Sequence, residues 1–329
     1  MTTEAQKKIF NDPNFVSRYK LGEVLTGEFA QKILSQIDLS STKEPVHFLD
    51  LACGTGIVSK YAVEILFKTR LQNKLLPEDR FTCADMAPAM LDVLKARIGE
   101  ENWSTDGQQF EVVQANMTDT KLPSDNYTHL GCNFGPGLAP QPENTLRESY
   151  RMLRPGGVAG WTFWQTVGWF PDVSKAMKEI RAAAEQKVAD GTATENDQKL
   201  ANIPAFLSIE QFIAKAADVD LNQTPHTRWD REDFVKAQVE EAGFTDVKVE
   251  VVKKDFTMDT ASAYQMVKPM FGLLRNFWSN EDKEATNGVD IDTAMDQWWE
   301  RRLKQDDIQD DKILWKDFTA TVVTGRKAL

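Results

Sequence analysis

Four segments carry residue types and spacings that can do chemistry. The first is Leu49-Asp50-Leu51-Ala52-Cys53-Gly54-Thr55-Gly56. An apolar run enters a glycine turn that opens a helical stretch. Glycine there permits unusual φ and lets the backbone approach a ligand closely. In the second, Asp85 ends another apolar run and precedes Met86-Ala87-Pro88-Ala89-Met90. A carboxylate in that place can accept both hydroxyls of a ribose, and the adjacent apolar side chain can cover an adenine face. The third is Gln114-Ala115-Asn116-Met117, where the Asn116 side chain and the next backbone N–H can read an adenine edge. The fourth is Arg154-Pro155-Gly156-Gly157, ahead of a further apolar run. Taken alone, the glycine turn also fits a tight strand-to-helix connection that binds nothing. A dinucleotide fingerprint asks for G-x-G-x-x-G, and Ser59 stands at its third glycine, which weakens a nicotinamide reading.

Particular elements must position these residues. After Asp12-Pro13, apolar residues recur at Phe15, Tyr19, Leu25, Phe29, Ile33 and Ile37. That spacing predicts one amphipathic helix over about 14–36. Short apolar runs at 46–49, 81–84, 110–113, 127–132 and 158–164 read as strands. Helical patterns fill 57–67, 88–98 and 144–153, with Pro88 suited to a first turn and Arg154-Pro155-Gly156-Gly157 closing the last. Strands alternating with helices mean βαβ units and a mostly parallel sheet covered on both faces. Ligands of such sheets bind beyond the carboxyl ends of the strands, where Asp50, Asp85, Asn116 and Asn133 all fall. Further strands read over 247–252 and 313–323. The expected organisation is an N-terminal helical segment (1–40), half of an α/β core (41–165), a helical insertion (166–228), a core helix and strand (229–256), a second helical insertion (257–311) and a last strand (312–329). Both insertions follow strands and are expected to form a lid.

Composition limits the function classes. Of 329 residues, 41% are apolar and 27% charged, an ordinary globular balance. Fifty acidic against thirty-nine basic side chains give a net charge of −11, and no Lys/Arg run exceeds two. Nucleic acid and anionic membrane are therefore poor partners. Cys53, Cys83 and Cys132 are too few for a disulfide framework, and no Cys/His cluster suggests a metal. The first ten residues, MTTEAQKKIF, hold no apolar signal core. A soluble cytoplasmic protein, monomer or homodimer, is expected.

In their order, the four segments resemble the class I S-adenosylmethionine-dependent methyltransferases over roughly residues 45–165. The resemblance implies an α/β, doubly wound, mostly parallel seven-stranded sheet whose last strand is antiparallel, with helical cap insertions. It implies S-adenosylmethionine as cofactor and S-adenosylhomocysteine as product. Gly54, Thr55 and Gly56 then border the methionine part, with Ala52 standing where the family's motif has its first glycine. Asp50 orients the amino end. Asp85 holds the ribose, with Met86 against the adenine and Met90 a further cofactor contact. Asn116 and Met117 meet the adenine edge, and Asn133 and Phe134 lie near the sulfur. Phe15-Val16-Ser17-Arg18-Tyr19, Leu25-Thr26-Gly27 and Ala30-Gln31 resemble fungal small-molecule methyltransferases of the gliotoxin bis-thiomethyltransferase type, which act in secondary metabolism. In that style the N-terminal helix closes over the cofactor, which makes Tyr19 and Arg18 candidate contacts; the alternative for Tyr19 is a core position.

The reaction implied is an in-line displacement, which needs the nucleophile held about 3–3.5 Å from the carbon and out of water. A thiolate needs no base, whereas an alcohol or amine can need one. His47 and His129 fall on strands and read as core or sheet-edge residues. His226, beside Arg228 and Trp229, is the histidine offered as a base, with Tyr19 the other catalytic candidate. Phe15, Trp164, Trp169 and Phe170 are offered as the substrate pocket, with Trp164 and Trp169 past the end of the fifth strand. Phe271, Phe277 and Trp278 either add to that pocket or pack between helices. A small organic molecule methylated at sulfur, oxygen or nitrogen is the expected substrate. Two rival readings share the motifs: a non-methylating reaction such as a cyclisation, and a non-catalytic regulatory module.

Overall fold

Phe48, Phe81 and Phe110 lie opposite one another in register across three parallel strands, and their rings pack in a row at centroid separations of 5.6 and 4.8 Å. Branched and aromatic residues suit such positions because the pleat sets successive side chains on opposite faces. The computed structural model describes residues 10–70, 74–104, 109–205, 208–224, 226–275, 278–305 and 307–329, and all of their side chains except those at 13–14 and 270–274. In chain order its elements are α1 (Pro13–Tyr19), α2 (Glu23–Gln36), β1 (His47–Leu51), α3 (Ile57–Thr69), β2 (Arg80–Asp85), α4 (Pro88–Glu100), β3 (Phe110–Gln114), β4 (Tyr127–Cys132), α5 (Pro142–Met152) and β5 (Leu153–Thr166). There follow α6 (Phe170–Ala189), α7 (Glu195–Leu200), α8 (Ile209–Ala216), α9 (Glu232–Glu241), β6 (Thr245–Asp259), α10 (Thr260–Arg275), α11 (Asn280–Ala285), α12 (Ile291–Arg302) and β7 (Lys312–Arg326).

The strands form one seven-stranded sheet in the order β3-β2-β1-β4-β5-β7-β6. The pairs β1/β2, β2/β3, β1/β4 and β4/β5 are parallel. β7 runs against its neighbours. Gly156 and Gly157 at the start of β5 exchange backbone hydrogen bonds of 2.9 Å with Lys327, just past the end of β7. The Thr245 hydroxyl at the start of β6 donates to the Arg326 carbonyl at the end of β7, at 3.2 Å. The order reverses between β1 and β4, which is where open sheets of this kind bind ligands.

By internal contacts the chain divides into two compact units. The first holds Met1–Gln165, Ile213–Lys253 and Thr319–Leu329; the second holds Thr166–Phe212 and Lys254–Phe318. Residues 213–228 thus group with the first unit. Within the second, the Arg302 guanidinium donates to Asp172 at 3.1 Å and to Asp307, and the Trp315 indole donates to Asp172 at 2.8 Å. No helix among the described residues is long and apolar enough to cross a membrane.

Three sequence-based boundaries differ from the structure. The single helix over 14–36 is two helices joined by a 3-10 turn at Lys20–Gly22. Glycine weakens a helix interior by about 1 kcal/mol, and Gly22 is the residue before α2 begins. The fifth strand begins at Leu153, not after Gly157, because β7 pairs with the glycines that otherwise signal a turn. It also runs on to Thr166, so Trp164 lies inside the strand rather than past it.

Trp161 and Trp164 face opposite sides of β5. Trp161 is fully buried and packs edge-on to Phe244 at 4.9 Å. Trp161→Ala is expected to cost about 3–5 kcal/mol of stability, read as a lowered urea midpoint; an unchanged midpoint contradicts its placement in the core.

Candidate active site

The turn after β1 is fixed by the end of β2. Cys53 N–H donates to the Ala84 carbonyl at 3.0 Å. Gly54, at φ +52°, donates its N–H to Asp85 Oδ2 at 2.8 Å. The other Asp85 oxygen accepts the Ala87 N–H at 2.9 Å. The two oxygens together retain lone-pair capacity for a ligand. Burial pushes the Asp85 carboxyl up from its ordinary value, opposed by the N–H groups of Ala87, Gly54 and Met86. The Tyr19 ring stands over this turn: a Cβ on Gly54 would sit 3.6 Å from Tyr19 Cε1.

A cavity open to solvent lies beside the turn. Of the residues singled out from the sequence, Tyr19, Ala52, Gly54, Asp85, Met86, Met90, Met117, Asn133 and Phe134 line it. Ala52 and Phe134 both have left-handed backbones, at φ 55° and 59°. A side-chain-bearing residue pays about 1–2 kcal/mol for that conformation, and such strain gathers at functional sites. Gly135 follows Phe134 closely enough to Ala52 that a Cβ there would fall 2.6 Å from the Ala52 methyl. The Phe134 ring is stacked on Trp164 at 3.7 Å and meets Phe29 edge-on at 5.3 Å. The Asn133 amide donates to the Thr26 carbonyl of α2 at 3.0 Å and accepts the Thr162 hydroxyl of β5 at 2.8 Å.

Other expected site residues stand elsewhere. Asp50 lies within β1 rather than at its end, so its carboxylate turns inward. There Oδ2 accepts the Ser59 N–H at 2.9 Å and hydroxyl at 2.7 Å, at the first turn of α3. Oδ1 is buried and accepts no hydrogen bond among the described residues. The Thr55 hydroxyl is turned away to Glu23. Gly56 packs on Leu94 and Trp103. Asn116 Oδ1 is taken by the N–H and hydroxyl of Thr118, at 3.1 and 3.0 Å. Phe15 is buried behind the cavity, against Phe10 and Tyr19. Trp164 lies behind Phe134. Trp169 and Phe170 belong to the second unit, where Phe170 packs near Phe212. Arg18 closes α1, and His226 is exposed and does not line the cavity. Trp278 is half-buried, with its ring 5.9 Å from the Arg275 guanidinium. The side chain of Phe271 and the whole of Phe277 lie outside the described residues. Burial, with the charges of Asp85 and Glu23, raises the Tyr19 phenol well above its ordinary range. It is therefore held protonated.

Sequence reasoning missed five lining residues, Phe10, Asn11, Ala87, Ala115 and Leu138, and read Gly135 only as part of a bend near the cofactor. Ala87, Ala115 and Gly135 sit inside or beside the segments already singled out. Phe10 and Asn11 precede the residues on which helical periodicity could be read.

Residues 48–157 match the family profile described as a methyltransferase domain. Over 323 residues the chain is 26% identical to a protein named methyltransferase tpcH of Aspergillus fumigatus, covering 98% of this chain and 99% of the relative. Over 300 residues it is 27% identical to the acetylaranotin bis-thiomethyltransferase of Aspergillus terreus, covering 91% and 90%. Among solved structures, a Haemonchus contortus phosphoethanolamine N-methyltransferase in complex with S-adenosylhomocysteine aligns with 97% of this chain and 58% of its own. Its TM-score is 0.48 and its identity 13%, a distant likeness.

Burial pushes the Asp50 carboxyl up to about 7, against the pull of its two bonds from Ser59. The folded protein therefore binds this proton more readily than the unfolded chain does. The stability so contributed is present below about pH 4 and is lost as the pH rises to about 7. Asp50→Asn, which cannot ionise, is expected to gain Tm relative to the native protein across that window and to hold a constant gain above it. A gain independent of pH contradicts the assignment.

Proposed function

We propose that this chain, an S-adenosylmethionine-dependent methyltransferase, transfers a methyl group to a small organic molecule of the secondary-metabolite kind. The observation that carries the reading is the Asp85 carboxylate, which ties the glycine turn to the end of β2 while keeping lone pairs toward an apolar cavity. The residues present fit the cofactor. Asp85 holds the ribose hydroxyls. Met86 and Met90 cover the adenine, with Ala115 and Leu138 completing that apolar wall. Gly54 leaves the backbone open for close approach, beneath Tyr19. When bound, S-adenosylmethionine supplies a methyl group already activated by a sulfonium.

The chain's own task is then to hold the acceptor in line and keep water out. Phe134, braced by Trp164 and Phe29, presents an aromatic wall whose face also attracts a cation. The second acidic or basic candidate beside Asp85 in the lining is Tyr19, held protonated by burial. That favours an acceptor that sheds its own proton. A thiol does so near pH 8.5, whereas an unactivated alcohol does not. One relative is named for the methylation of sulfur, and the same atom is proposed here.

Two measurements test this. Asp85→Ala is expected to weaken S-adenosylhomocysteine binding by about 1–3 kcal/mol in calorimetry, the cost of removing a charged hydrogen-bond partner; unchanged affinity means the ribose is held elsewhere. With S-adenosylmethionine and a panel of small thiols and phenols, product mass should show one added methyl per sulfur. The thiol kcat/KM should rise with pH and level off at the thiol's own pKa. An earlier inflection, near the ordinary histidine value of about 6.5, would instead reveal a protein base.

A further inference from the structure

Behind the glycine turn lies a buried ionic cluster that the cavity does not include. Arg97 of α4 is 4% exposed and Glu23, the first residue of α2, is 8% exposed. Arg97 Nη1 donates to Glu23 Oε1 at 2.8 Å and to the Thr55 carbonyl at 3.1 Å. The Thr55 hydroxyl donates to that same Glu23 oxygen. Arg97 Nε donates to Glu101 at 2.8 Å, and the Trp103 indole donates to the other Glu101 oxygen at 3.0 Å. Thr55 is thus gripped at both ends, its carbonyl by Arg97 and its hydroxyl by Glu23, and the two grips are bonded to each other.

Stability is a weak reason for such a cluster. Taking a guanidinium and carboxylates out of water costs about as much as their attraction returns, and packed apolar side chains serve a core at least as well. What an ionic cluster supplies is directionality, because the guanidinium fork fixes the geometry of each partner. The geometry it fixes here is that of two neighbours. Thr55 is adjacent to Gly54, and Glu23 lies four residues after Tyr19, whose ring stands over Gly54. The break at Lys20–Gly22 leaves α1 and α2 as separate helices that need an anchor.

We propose that Arg97 and Glu23 are positioning residues for the methyl donor: they fasten the N-terminal helices to the glycine turn at Thr55, and so set Tyr19 over Gly54. This rests on the reading that the cavity beside Gly54 holds S-adenosylmethionine. Neither residue lines that cavity, so both act through Thr55 and Tyr19.

The test uses the full chain with Glu23→Gln, Arg97→Lys, Thr55→Val and Thr55→Ser, each alone and combined with Tyr19→Ala. The readouts are amide hydrogen exchange without ligand and calorimetric titration with S-adenosylhomocysteine. Glu23→Gln, Arg97→Lys and Thr55→Val should each speed exchange over 15–36 about tenfold or more, with β1 and β2 unchanged, as the loss of a buried charged hydrogen bond would do. S-adenosylhomocysteine affinity should fall about tenfold with each, while Thr55→Ser, which keeps the hydroxyl, restores both readouts. In the Tyr19→Ala background the same three changes should cost at most about twofold, because the residue they position is gone. Unaltered exchange over 15–36, or affinity losses that multiply fully with that of Tyr19→Ala, would overturn the proposal. Thr55→Val leaves both charges paired and keeps the test open should Arg97→Lys not fold. A native protein that fails to bind S-adenosylhomocysteine overturns the cofactor reading, and the exchange data still decide whether the anchor exists.

Discussion

The carboxylate of Asp85 is the constraint on which the site depends. It accepts the N–H of Gly54 from the turn after β1 and the N–H of Ala87 from the turn after β2. Two strand ends that are neighbours in the sheet are thereby locked into one surface. The turn has one further backbone tie to β2, from the Cys53 N–H to the Ala84 carbonyl. The same carboxylate raises the cost of everything near it. Burial, and then the charge of Asp85, push up the Tyr19 phenol, and burial above all pushes up the Asp50 carboxyl, so that both favour their neutral forms.

Around Asp85 the backbone accepts unfavourable shapes. Ala52 and Phe134, both lining the cavity, sit in the left-handed region, and Gly135 comes too near Ala52 to carry a side chain. These conformations survive because packing over-determines them. Phe134 is clamped between Trp164 and Phe29, and its N–H is held by the Thr162 hydroxyl at 2.8 Å. Thr162 in turn donates to Asn133, which reaches across to Thr26 of α2. The N-terminal helices are thus joined to the site by two routes, Asn133 on one side of the turn and the Glu23–Arg97 pair on the other.

Much of this was legible in the residues. The glycine turn, Asp85 with Met86, and the Asn133-Phe134 step each sit where an apolar run ends, and strand ends are local features. Seven strands and the helices between the first five could be read for the same reason. What escaped was set by distant partners. Asp50 looked like a strand-end acid, but β1 continues through Leu51 and turns the carboxylate toward Ser59. Thr55 sits in the motif, yet its hydroxyl is captured by Glu23, thirty-two positions away. Arg97 looks like any charged residue of an amphipathic helix, and only the fold brings it to a residue seventy-four positions earlier. Trp164 reads from the sequence as a pocket wall, whereas in the fold it lies inside β5, stacked on Phe134 and edge-on to Phe29. Gly156 and Gly157 read as a turn until β7, from the far end of the chain, pairs with them.

The central claim is that Asp85 and the Gly54 turn form the seat of the methyl donor. A crystal structure of the protein with S-adenosylhomocysteine tests it most directly. The account expects the ligand in the cavity beside Gly54, both ribose hydroxyls within hydrogen-bond distance of the Asp85 carboxylate, and the Gly54-to-Asp85 bond retained. Ligand density elsewhere, or a ribose held by other residues with Asp85 turned away, would contradict it.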